Sequence, residues 1–381
     1  MDKTGTTCVA PVILNGPGRV GKEFIRLLSE EAPRIQEWTG CCPMLRAVTA
    51  RRGILFSHGG LSLDDVLGWL DADAGQIAAG GAWSWLEGTA GAARLSAFAA
   101  ADYSLVLDLV RGEAPGVVVE ATATDLETGE PGLSHIVTAI EKGLSAVCLS
   151  KGPLVVAFGR LTALAKHRDV SLRYSGAAGA ALPAIDTATY SMAGARIIEV
   201  EGVLNGTTNF ILNSMAEGMP YPDALAAAQM RGVAEADPRL DVEGYDSAAK
   251  LLIIANTVWG LSQGLSAVDR QGITALDPSY VRSCAEKGTP VRLVARALLP
   301  EPSGAPGAPS GEKPAPSLSV KPEPVPAGHP FVNLPGTSKA VRFKSRNMGE
   351  VTVSGGASDV TGAAASALKD LIHVLQERRT L

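Results

Sequence analysis

Charged and aromatic residues are scarce in this chain. Asp, Glu, Lys and Arg make up 19% of its 381 residues and aromatic residues make up 5%, whereas an average soluble domain has about 25% charged residues. A disordered chain would have fewer than 46% hydrophobic residues and a larger net charge than −5. The composition therefore indicates a folded chain of about two domains.

Basic charge and long apolar runs are absent as well. Proteins that bind nucleic acids are usually basic, but the pI of this chain is about 5.7. The longest apolar stretch, over 251–261, is shorter than the roughly 18–20 residues that cross a membrane. We therefore expect an enzyme-like α/β or α+β protein with neither a nucleic-acid partner nor a membrane partner.

Cysteine is rare, and its spacing excludes a zinc site of the usual kind. The chain has five cysteines, at Cys8, Cys41, Cys42, Cys148 and Cys284. Their number is odd and no pair has the spacing of zinc ligands. Residues 1–16 lack the charged and apolar regions of a signal peptide. We therefore expect reduced thiols and a cytoplasmic protein.

A glycine motif follows the first predicted strand. Residues 9–14 predict this strand, and Gly16, Gly18 and Gly21 come directly before and within a helix predicted over 19–31. In such a GxGxxG motif the first glycine permits a tight turn, the second lets the backbone approach a pyrophosphate, and the third allows close helix packing. The motif favours dinucleotide binding, with a purely structural turn as the alternative.

The pattern of predicted elements changes once along the chain. Up to residue 151 it predicts strands at 45–49, 117–120 and 146–149 and helices at 63–71 and 133–142. This alternation implies βαβ units and a parallel sheet. Beyond residue 151 it predicts strands at 170–174, 197–204, 291–299 and 318–325, and helices at 207–217, 221–231, 247–260 and 362–377. The Pro/Gly/Ser-rich segment 300–317 is expected to be a mobile hairpin tip.

The residues after the second strand bear on the choice of cofactor. An acid that binds the ribose of NAD is expected there, but Thr49 is followed by Ala50, Arg51 and Arg52. Two arginines suit a 2′-phosphate, so the sequence favours NADP, with NAD as the alternative. A solvated loop without a ligand is the structural alternative for the two arginines.

An acidic run ends in a lysine. It consists of Glu235, Asp237, Asp241, Glu243, Asp246 and Lys250. Asp246 begins a predicted helix and Lys250 lies on the same face four residues later, so an ordinary N-cap with an ion pair is the structural alternative. The functional interpretation is a site whose carboxylates hold an ammonium group and whose lysine meets a reacting oxygen. The spacing does not fit an EF-hand loop.

A third motif, GVLNGTTN at 202–209, ends a predicted strand and begins a helix. Free backbone N–H groups at such a helix start can bind a carboxylate, and ordinary capping is the alternative.

Together these motifs resemble the homoserine dehydrogenase family. Residues 228–250 fit the family signature throughout, residues 202–212 are nearly the family sequence, and residues 151–154, 182–183 and 361–371 also match. The resemblance covers nearly the whole chain, is weakest over 53–114 and breaks at the proline-rich insertion. It implies a monofunctional member without an aspartokinase or an ACT-type regulatory domain, and hence without threonine control through such a domain.

The resemblance also implies roles for individual residues. Lys250 and Lys151 resemble the catalytic lysines, and Asp246 resembles the carboxylate that orients Lys250 and the substrate. The implied substrate-binding residues are Glu235, Asp241, Gly206 and Thr207. The expected cofactor-binding residues are Gly16, Gly18, Arg19, Val20, Gly21, Arg51, Arg52, Thr122, Ser150, Lys151 and Gly356. A monovalent cation, Na+ or K+, is implied at backbone carbonyls of Ser175, Ala178, Ala180 and Leu182.

The implied fold is α/β and has two domains. A Rossmann-type NAD(P)-binding domain would comprise 1–151 and about 341–381, and an α+β catalytic and dimerisation domain with a mixed sheet would comprise 152–340 and form a homodimer. The implied reaction is the reversible NAD(P)H-dependent reduction of L-aspartate 4-semialdehyde to L-homoserine, in threonine and methionine biosynthesis. None of the five histidines falls in these motifs, which favours lysine as the acid/base group.

Two departures from the family pattern leave alternatives open. Ser150 stands where members usually carry Asn, and Ser175 stands where they usually carry Glu. One alternative is a dehydrogenase of the same fold for another small semialdehyde or hydroxy acid in a specialised pathway. The other is a non-catalytic NAD(P)-binding sensor, although such a protein has no need of an acid/base lysine.

Overall fold

The computed structural model of the protein describes residues 8–71, 95–98, 100–110, 115–300, 315–356 and 358–377. The chain divides into two compact units, Met1–Ala177 with Asp359–Leu381, and Ala178–Ser358. The predicted hairpin tip at 300–317 lies almost wholly outside the described residues. None of the described helices is long and apolar enough to cross a membrane.

The first unit contains a sheet with a parallel centre. Its strands are β1 (Cys8–Asn15), β2 (Cys41–Ala50), β3 (Gly53–Ser57), β4 (Leu95–Phe98), β5 (Val117–Glu120), β6 (Ser145–Cys148) and β7 (Leu172–Arg173). They lie in the order β4-β3-β2-β1-β5-β6-β7. The neighbouring strands β2, β1, β5, β6 and β7 pair in parallel. At the edge, β3 pairs antiparallel with both β2 and β4. The predicted Rossmann-type parallel sheet is confirmed.

The second unit contains a mixed sheet, as predicted. Its strands are β8 (Ile197–Val203), β9 (Val268–Arg270), β10 (Val291–Leu298), β11 (Ser317–Pro324), β12 (Ala340–Ser345) and β13 (Glu350–Ser354). They lie in the order β13-β12-β8-β10-β11-β9. Neighbouring strands are antiparallel except for β9 and β11, which are parallel.

Helices lie between many of the strands along the chain. They are α1 (Arg19–Thr39), α2 (Leu63–Asp71), α3 (Tyr103–Val110), α4 (Gly132–Glu141), α5 (Lys151–His167), α6 (Ser175–Gly179), α7 (Ala184–Asp186), α8 (Gly206–Ala216), α9 (Tyr221–Met230), α10 (Arg239–Val242), α11 (Tyr245–Trp259), α12 (Pro278–Glu286) and α13 (Val360–Glu377). The last helix, α13, belongs to the first unit. Its residues Ala364 and Leu371 lie in the same hydrophobic core as Phe24 and Leu28 of α1.

The boundaries of the two units differ from those predicted near residues 151 and 340. The strand β7 pairs with β6, so the chain stays in the first unit as far as Ala177. The strands β12 and β13 extend the second sheet from β8, so the second unit continues to Ser358. Sheet pairing therefore moves both boundaries towards the C-terminus.

The prediction that all cysteines are reduced is wrong for one pair. Cys8 and Cys41 are joined by a disulfide, and their Cα atoms lie 4.5 Å apart. The two residues are register partners at the start of β1 and β2, so the parallel pairing brings their side chains together. The thiols of Cys42, Cys148 and Cys284 are free.

Candidate functional site

The glycine turn between β1 and α1 has two constrained glycines and one open one. Gly16 has a φ of +85°, and a Cβ there would lie 2.6 Å from the carbonyl oxygen of Ala121. A Cβ on Gly21 would lie 2.3 Å from the carbonyl oxygen of Gly16. Among the described residues, no atom lies within 4 Å of the Cβ position of Gly18. The turn therefore needs Gly16 and Gly21, while the backbone at Gly18 is open to a ligand.

Arg19 and Val20 form the first turn of α1. The N-cap of this helix is Gly18, which has no side chain to bond the first N–H groups. The start of a helix also carries a partial positive charge. This end of α1 is therefore suited to a phosphate, and the binding of a phosphate there stays a prediction.

The two arginines after β2 have different surroundings. Arg52 donates to the carbonyl oxygen of Trp69 at 2.5 Å and lies 5.9 Å from the centre of its ring. Arg51 is exposed and makes no hydrogen bond or ion pair with another residue in the described ranges. Of the predicted pair, Arg51 is therefore the side chain that is not already engaged by another residue in the described part of the chain.

A buried acid next to Thr122 did not enter the predicted site. Glu120 ends β5 with no exposed surface, and its Oε1 accepts from the backbone N–H of Thr122 at 2.9 Å. Its Oε2 lies 2.8 Å from Nδ1 of His135. The carboxyl ends of parallel strands are where open α/β sheets bind ligands. A glutamate at the end of an otherwise apolar strand was the signal for this group.

Close by, at the end of β1, the side-chain amide of Asn15 donates to the hydroxyl of Tyr103 at 2.8 Å. Burial raises the pKa of this tyrosine far above its ordinary value. Tyr103 is therefore a neutral hydrogen-bonding group rather than an acid/base group.

Ser150 and Lys151 lie at the start of α5. Ser150 is 2% exposed, and its hydroxyl has no hydrogen-bond partner among the described residues. Lys151 is the first residue of the helix, and its backbone N–H donates to Oγ1 of Thr124 at 3.3 Å. A Cβ on Gly152 would lie 2.1 Å from the carbonyl oxygen of Asp125. The Lys-Gly-Pro motif therefore needs its glycine for close backbone packing.

The serine in place of the family's glutamate is hydrogen-bonded. The backbone N–H of Ser175 donates to Oδ2 of Asp370 at 2.8 Å, and its hydroxyl accepts from Nζ of Lys369 at 2.9 Å. All three residues belong to the first unit. The side chain of Ser175 thus helps to tie α6 to α13.

In the second unit, one asparagine links the end of β8 to two carboxylates. Asn205 is the N-cap of α8, and its Oδ1 accepts from the backbone N–H of Thr208 at 2.8 Å. Its Nδ2 donates to Oδ1 of Asp241 at 2.6 Å and to Oδ2 of Asp246 at 2.8 Å. The cap therefore fixes an amide that holds both carboxylates close together.

Lys250 completes this cluster. Its Nζ donates to Oδ2 of Asp246 at 2.6 Å and to the carbonyl oxygen of Leu204 at 2.9 Å, and its side chain is 12% exposed. The ion pair that the structural alternative included is present, but Asp246 is not an N-cap, because α11 begins at Tyr245 and Gly244 holds the N-cap position. An ammonium has three N–H donors, so one donor is left after these two partners in the described part of the chain.

The electrostatics of the cluster favour a further cation. Burial raises the pKa of Asp241, and the negative charge of Asp246 raises it further. The hydrogen bond from Asn205 acts in the opposite direction but is the weaker effect. A positive group bound beside Asp241 would reduce the repulsion between the two carboxylates.

The other predicted substrate-binding residues differ in their contacts and in their exposure. The hydroxyl of Thr207 donates to the carbonyl oxygen of Val233 at 3.0 Å. A Cβ on Gly206 would lie 2.8 Å from the carbonyl oxygen of Thr337, so the first residue of α8 must be small. Glu235 is exposed after α9. A hydrogen bond therefore holds Thr207 and close packing surrounds Gly206, whereas Glu235 lies on the surface of the second unit.

The turn predicted to hold a cation contains a buried ammonium. It includes Ala178, Ala180 and Leu182 in the second unit. The carbonyl oxygen of Gly179 accepts from the backbone N–H of Leu182 at 3.1 Å and from Nζ of Lys339 at 2.8 Å. Lys339 had no role in the interpretation of the sequence.

Gly356 packs against this turn rather than standing in an open loop. It has a φ of +72°, and a Cβ there would lie 2.6 Å from the backbone nitrogen of Leu182. A side chain at this position would therefore displace the turn.

Known proteins resemble this chain along most of its length. A homoserine dehydrogenase of Methanocaldococcus jannaschii is 33% identical over 269 residues, which are 70% of this chain and 75% of that protein. The chain belongs to the homoserine dehydrogenase family. The family model for homoserine dehydrogenase matches residues 183–372. The NAD(+)-dependent homoserine dehydrogenase of Pseudomonas canavaninivorans is 34% identical over 260 residues, which are 68% of this chain and 71% of that protein.

The fold agrees with this membership. The crystal structure of a protein assigned as a homoserine dehydrogenase in Archaeoglobus fulgidus matches with a TM-score of 0.74 at 31% identity, over 96% of this chain and 99% of that one. Homoserine dehydrogenases are NAD(P)-dependent oxidoreductases of amino-acid biosynthesis. The likenesses support the main interpretation of the sequence, and neither of its two alternatives.

Proposed function

We propose that the chain interconverts L-aspartate 4-semialdehyde and L-homoserine with Lys250 as its acid/base group. The observation that supports this most directly is the hydrogen-bonded cluster of Asn205, Asp241, Asp246 and Lys250. Helices position these side chains: Asp241 lies in α10, and Asp246 and Lys250 lie in α11. Asn205 directly precedes α8. Such support gives the precise orientation that proton transfer needs.

Lys250 would act on the carbonyl oxygen of the substrate. The dinucleotide supplies the hydride when it is bound. Reduction leaves negative charge on the aldehyde oxygen, and the third N–H of Lys250 stabilises this charge and transfers its proton, giving the alcohol. In the reverse direction the neutral amine accepts the hydroxyl proton. Asp246 and the carbonyl of Leu204 hold the other two N–H groups and are positioning groups.

We assign Asp241 to the ammonium group of the amino-acid substrate. Burial and the charge of Asp246 raise its pKa. A positive group bound beside it would lower this pKa again and so stabilise the ionised form. Gly206 and Thr207 at the start of α8 would meet the carboxylate end, where a helix favours negative charge. The role of Glu235 stays a prediction from the resemblance.

For the cofactor we propose NADP rather than NAD. The open backbone at Gly18 and the uncapped start of α1 suit the pyrophosphate, and Arg51 suits the 2′-phosphate. The buried hydroxyl of Ser150 has no partner among the described residues, which fits a group that a bound cofactor satisfies. The roles of Thr122, Lys151 and Gly356 at the cofactor stay predictions.

The remaining expectations rest on the resemblance alone. We propose a homodimer that forms through the mixed sheet of the second unit, and light scattering of the purified protein measures this directly. Residence in the cytoplasm and the threonine and methionine pathways stay predictions. A cation at the carbonyls of Ser175, Ala178, Ala180 and Leu182 also stays a prediction, and the ammonium of Lys339 bears on it.

The test of Lys250 is the substitution Lys250→Met, which keeps the apolar stem and removes the charge. With L-aspartate 4-semialdehyde and NADPH we expect kcat to fall by about 10²–10⁴-fold, while the Kd of NADPH changes by less than about twofold. The oxidation of NADPH, followed by its absorbance, measures kcat, and NADH is run beside it. The control is Lys287→Met, an exposed lysine after α12. Near-normal turnover of Lys250→Met would remove Lys250 from the mechanism.

The test of NADP preference is Arg51→Ala beside Arg52→Ala. We expect Arg51→Ala to lower kcat/KM for NADPH by about 10–100-fold, because a charge-assisted bond to the 2′-phosphate is lost, and to leave kcat/KM for NADH unchanged. Arg52→Ala loses its contacts with Trp69. It should lower the Tm and leave the ratio of kcat/KM for NADPH to kcat/KM for NADH nearly unchanged. Equal losses with both cofactors in Arg51→Ala would exclude this role.

A further inference from the structure

Lys339 is a buried lysine next to the turn predicted to hold a cation. It directly precedes β12 and is 2% exposed. Its Nζ donates to the carbonyl oxygen of Gly179 at 2.8 Å, and both residues belong to the second unit. Lysine is almost never fully buried, because the ammonium loses its hydration unless polar groups replace the water. The hydrogen bond to Gly179 therefore replaces part of the hydration that the buried ammonium has lost.

The partner of Lys339 lies among the carbonyls that the family resemblance assigns to a metal ion. Gly179 stands between Ala178 and Ala180, and Leu182 follows in the same turn. Backbone carbonyls replace the hydration shell of a monovalent cation, and an ammonium takes the same ligands through its three N–H donors. Lys339 thus brings to the turn the charge that Na+ or K+ would bring.

The ammonium and a metal ion would compete for this place. Ala178 and Ala180 are the chain neighbours of Gly179, so an ion on either carbonyl would share the turn with Nζ of Lys339. Two positive charges about 5 Å apart repel each other enough to weaken ion binding by about 10²–10³-fold.

We propose that the ammonium of Lys339 replaces the monovalent cation in this chain and holds the turn at 178–182 in shape. The turn needs such a group, because Ala180 has a φ of +51°, which residues other than glycine rarely adopt. Gly356 packs on the same turn, so the shape of the turn also determines the path of the chain at Gly356. The proposal concerns the stability of the second unit and does not depend on the proposed reaction.

The first experiment uses the unaltered protein. Its Tm is measured in NaCl, in KCl and in choline chloride at one ionic strength, and the relaxation of ²³Na is measured by NMR with and without the protein. We expect the three Tm values to agree within about 1 °C, because an internal ammonium needs no ion, and we expect no saturable broadening of the ²³Na signal. A saturable rise of Tm in NaCl or KCl over choline chloride would overturn the proposal.

The second experiment removes the ammonium. Lys339→Met should lower the Tm in choline chloride by about 5–10 °C, because the buried carbonyl of Gly179 loses the ammonium donor. It should regain about 2–4 °C in KCl or NaCl as an ion enters the vacated place. The matched control is Lys344→Met within β12, where the lysine side chain is 46% exposed. It should change neither the Tm nor its dependence on the cation.

The two variants separate replacement of an ion from ordinary structural support. A lower Tm in Lys339→Met that no cation restores would mean that the ammonium is a structural donor only, and would overturn the replacement. If Lys339→Met does not fold, the measurements on the unaltered protein still decide the question. None of these readouts depends on enzyme activity, so failure of the proposed reaction would leave them unaffected.

Discussion

At the scale of single residues, the second unit holds two carboxylates close together. Asn205 donates to Asp241 and Asp246 at 2.6 and 2.8 Å, and Lys250 is bonded to Asp246. Burial and the charge of Asp246 raise the pKa of Asp241. The ionised form of Asp241 is therefore less stable here than in water, and a bound ammonium would compensate for this. Binding sites often keep such unfavourable groups at the expense of stability.

Asp241→Asn should make the protein more stable and less active. An acid whose pKa is raised on folding opposes folding above that pKa, and the effect vanishes below its unfolded pKa of about 3.9. We therefore expect the free energy of unfolding to rise at pH 7 and not to change near pH 3.5. Urea unfolding at both pH values measures this.

The activity of Asp241→Asn should fall for the same reason. We expect kcat/KM for the semialdehyde to drop by about 10²-fold, because a charge-assisted bond to the substrate ammonium is lost. In the unaltered enzyme kcat/KM should decrease as the pH falls through the raised pKa of Asp241, and the variant should lack this decrease. The control is Asp237→Asn, an exposed acid whose pKa Arg239 lowers to about 2. If Asp241→Asn were less stable than the unaltered protein at pH 7, this would contradict the repulsion between Asp241 and Asp246.

Single motifs made part of this site predictable. The spacing of Asp246 and Lys250 is enough to predict their ion pair, because both lie on one helical face. The role of Asn205 required the junction of β8, α8, α10 and α11, and no local pattern contains it. Lys339 was missed for a similar reason, since it reaches Gly179 across 160 residues of chain.

At the scale of elements, local patterns gave the kind of element better than its length. The helix predicted over 19–31 extends to Thr39 in the structure, although Pro33 lies inside it. A proline normally ends a helix. Here Ile35 and Thr39 are buried and Gly40 closes the helix in a left-handed conformation. Packing of the last turn thus outweighs the hydrogen bond that proline removes.

Other elements were not predicted because their signals depend on partners. The helix α5 begins with the Lys-Gly-Pro motif and was not predicted, and its hydrophobic residues are not confined to one clear face. The strands β12 and β13 bracket a short turn and are defined by pairing with β8 and with each other. The disulfide between Cys8 and Cys41 likewise depends on the register of β1 and β2. Pairing between distant segments is the information that a local pattern lacks.

At the scale of the whole molecule, the two units use the chain differently. The second unit is one continuous segment, Ala178–Ser358, whereas the first unit combines Met1–Ala177 with Asp359–Leu381. The core of the first unit therefore includes side chains from α13, among them Ala364, Leu371 and Val374. Stability of the first unit should depend on the end of the chain, and stability of the second unit should not.

A chain that ends at Ser358 should lose the first unit and keep the second. The deletion removes α13, whose buried side chains are Ala364, Ala367, Leu368, Leu371, Val374 and Leu375. Burial of one large apolar side chain contributes about 1.5–3 kcal/mol, so their sum is comparable with the whole stability of a domain, about 5–15 kcal/mol. We expect loss of NADPH binding and of one cooperative thermal transition, while amide protons of β8 and β10 stay protected from hydrogen exchange. A chain that ends at Glu377 keeps α13 and should behave like the full chain. Unchanged NADPH affinity in the shorter chain would show that α13 is dispensable for the first unit.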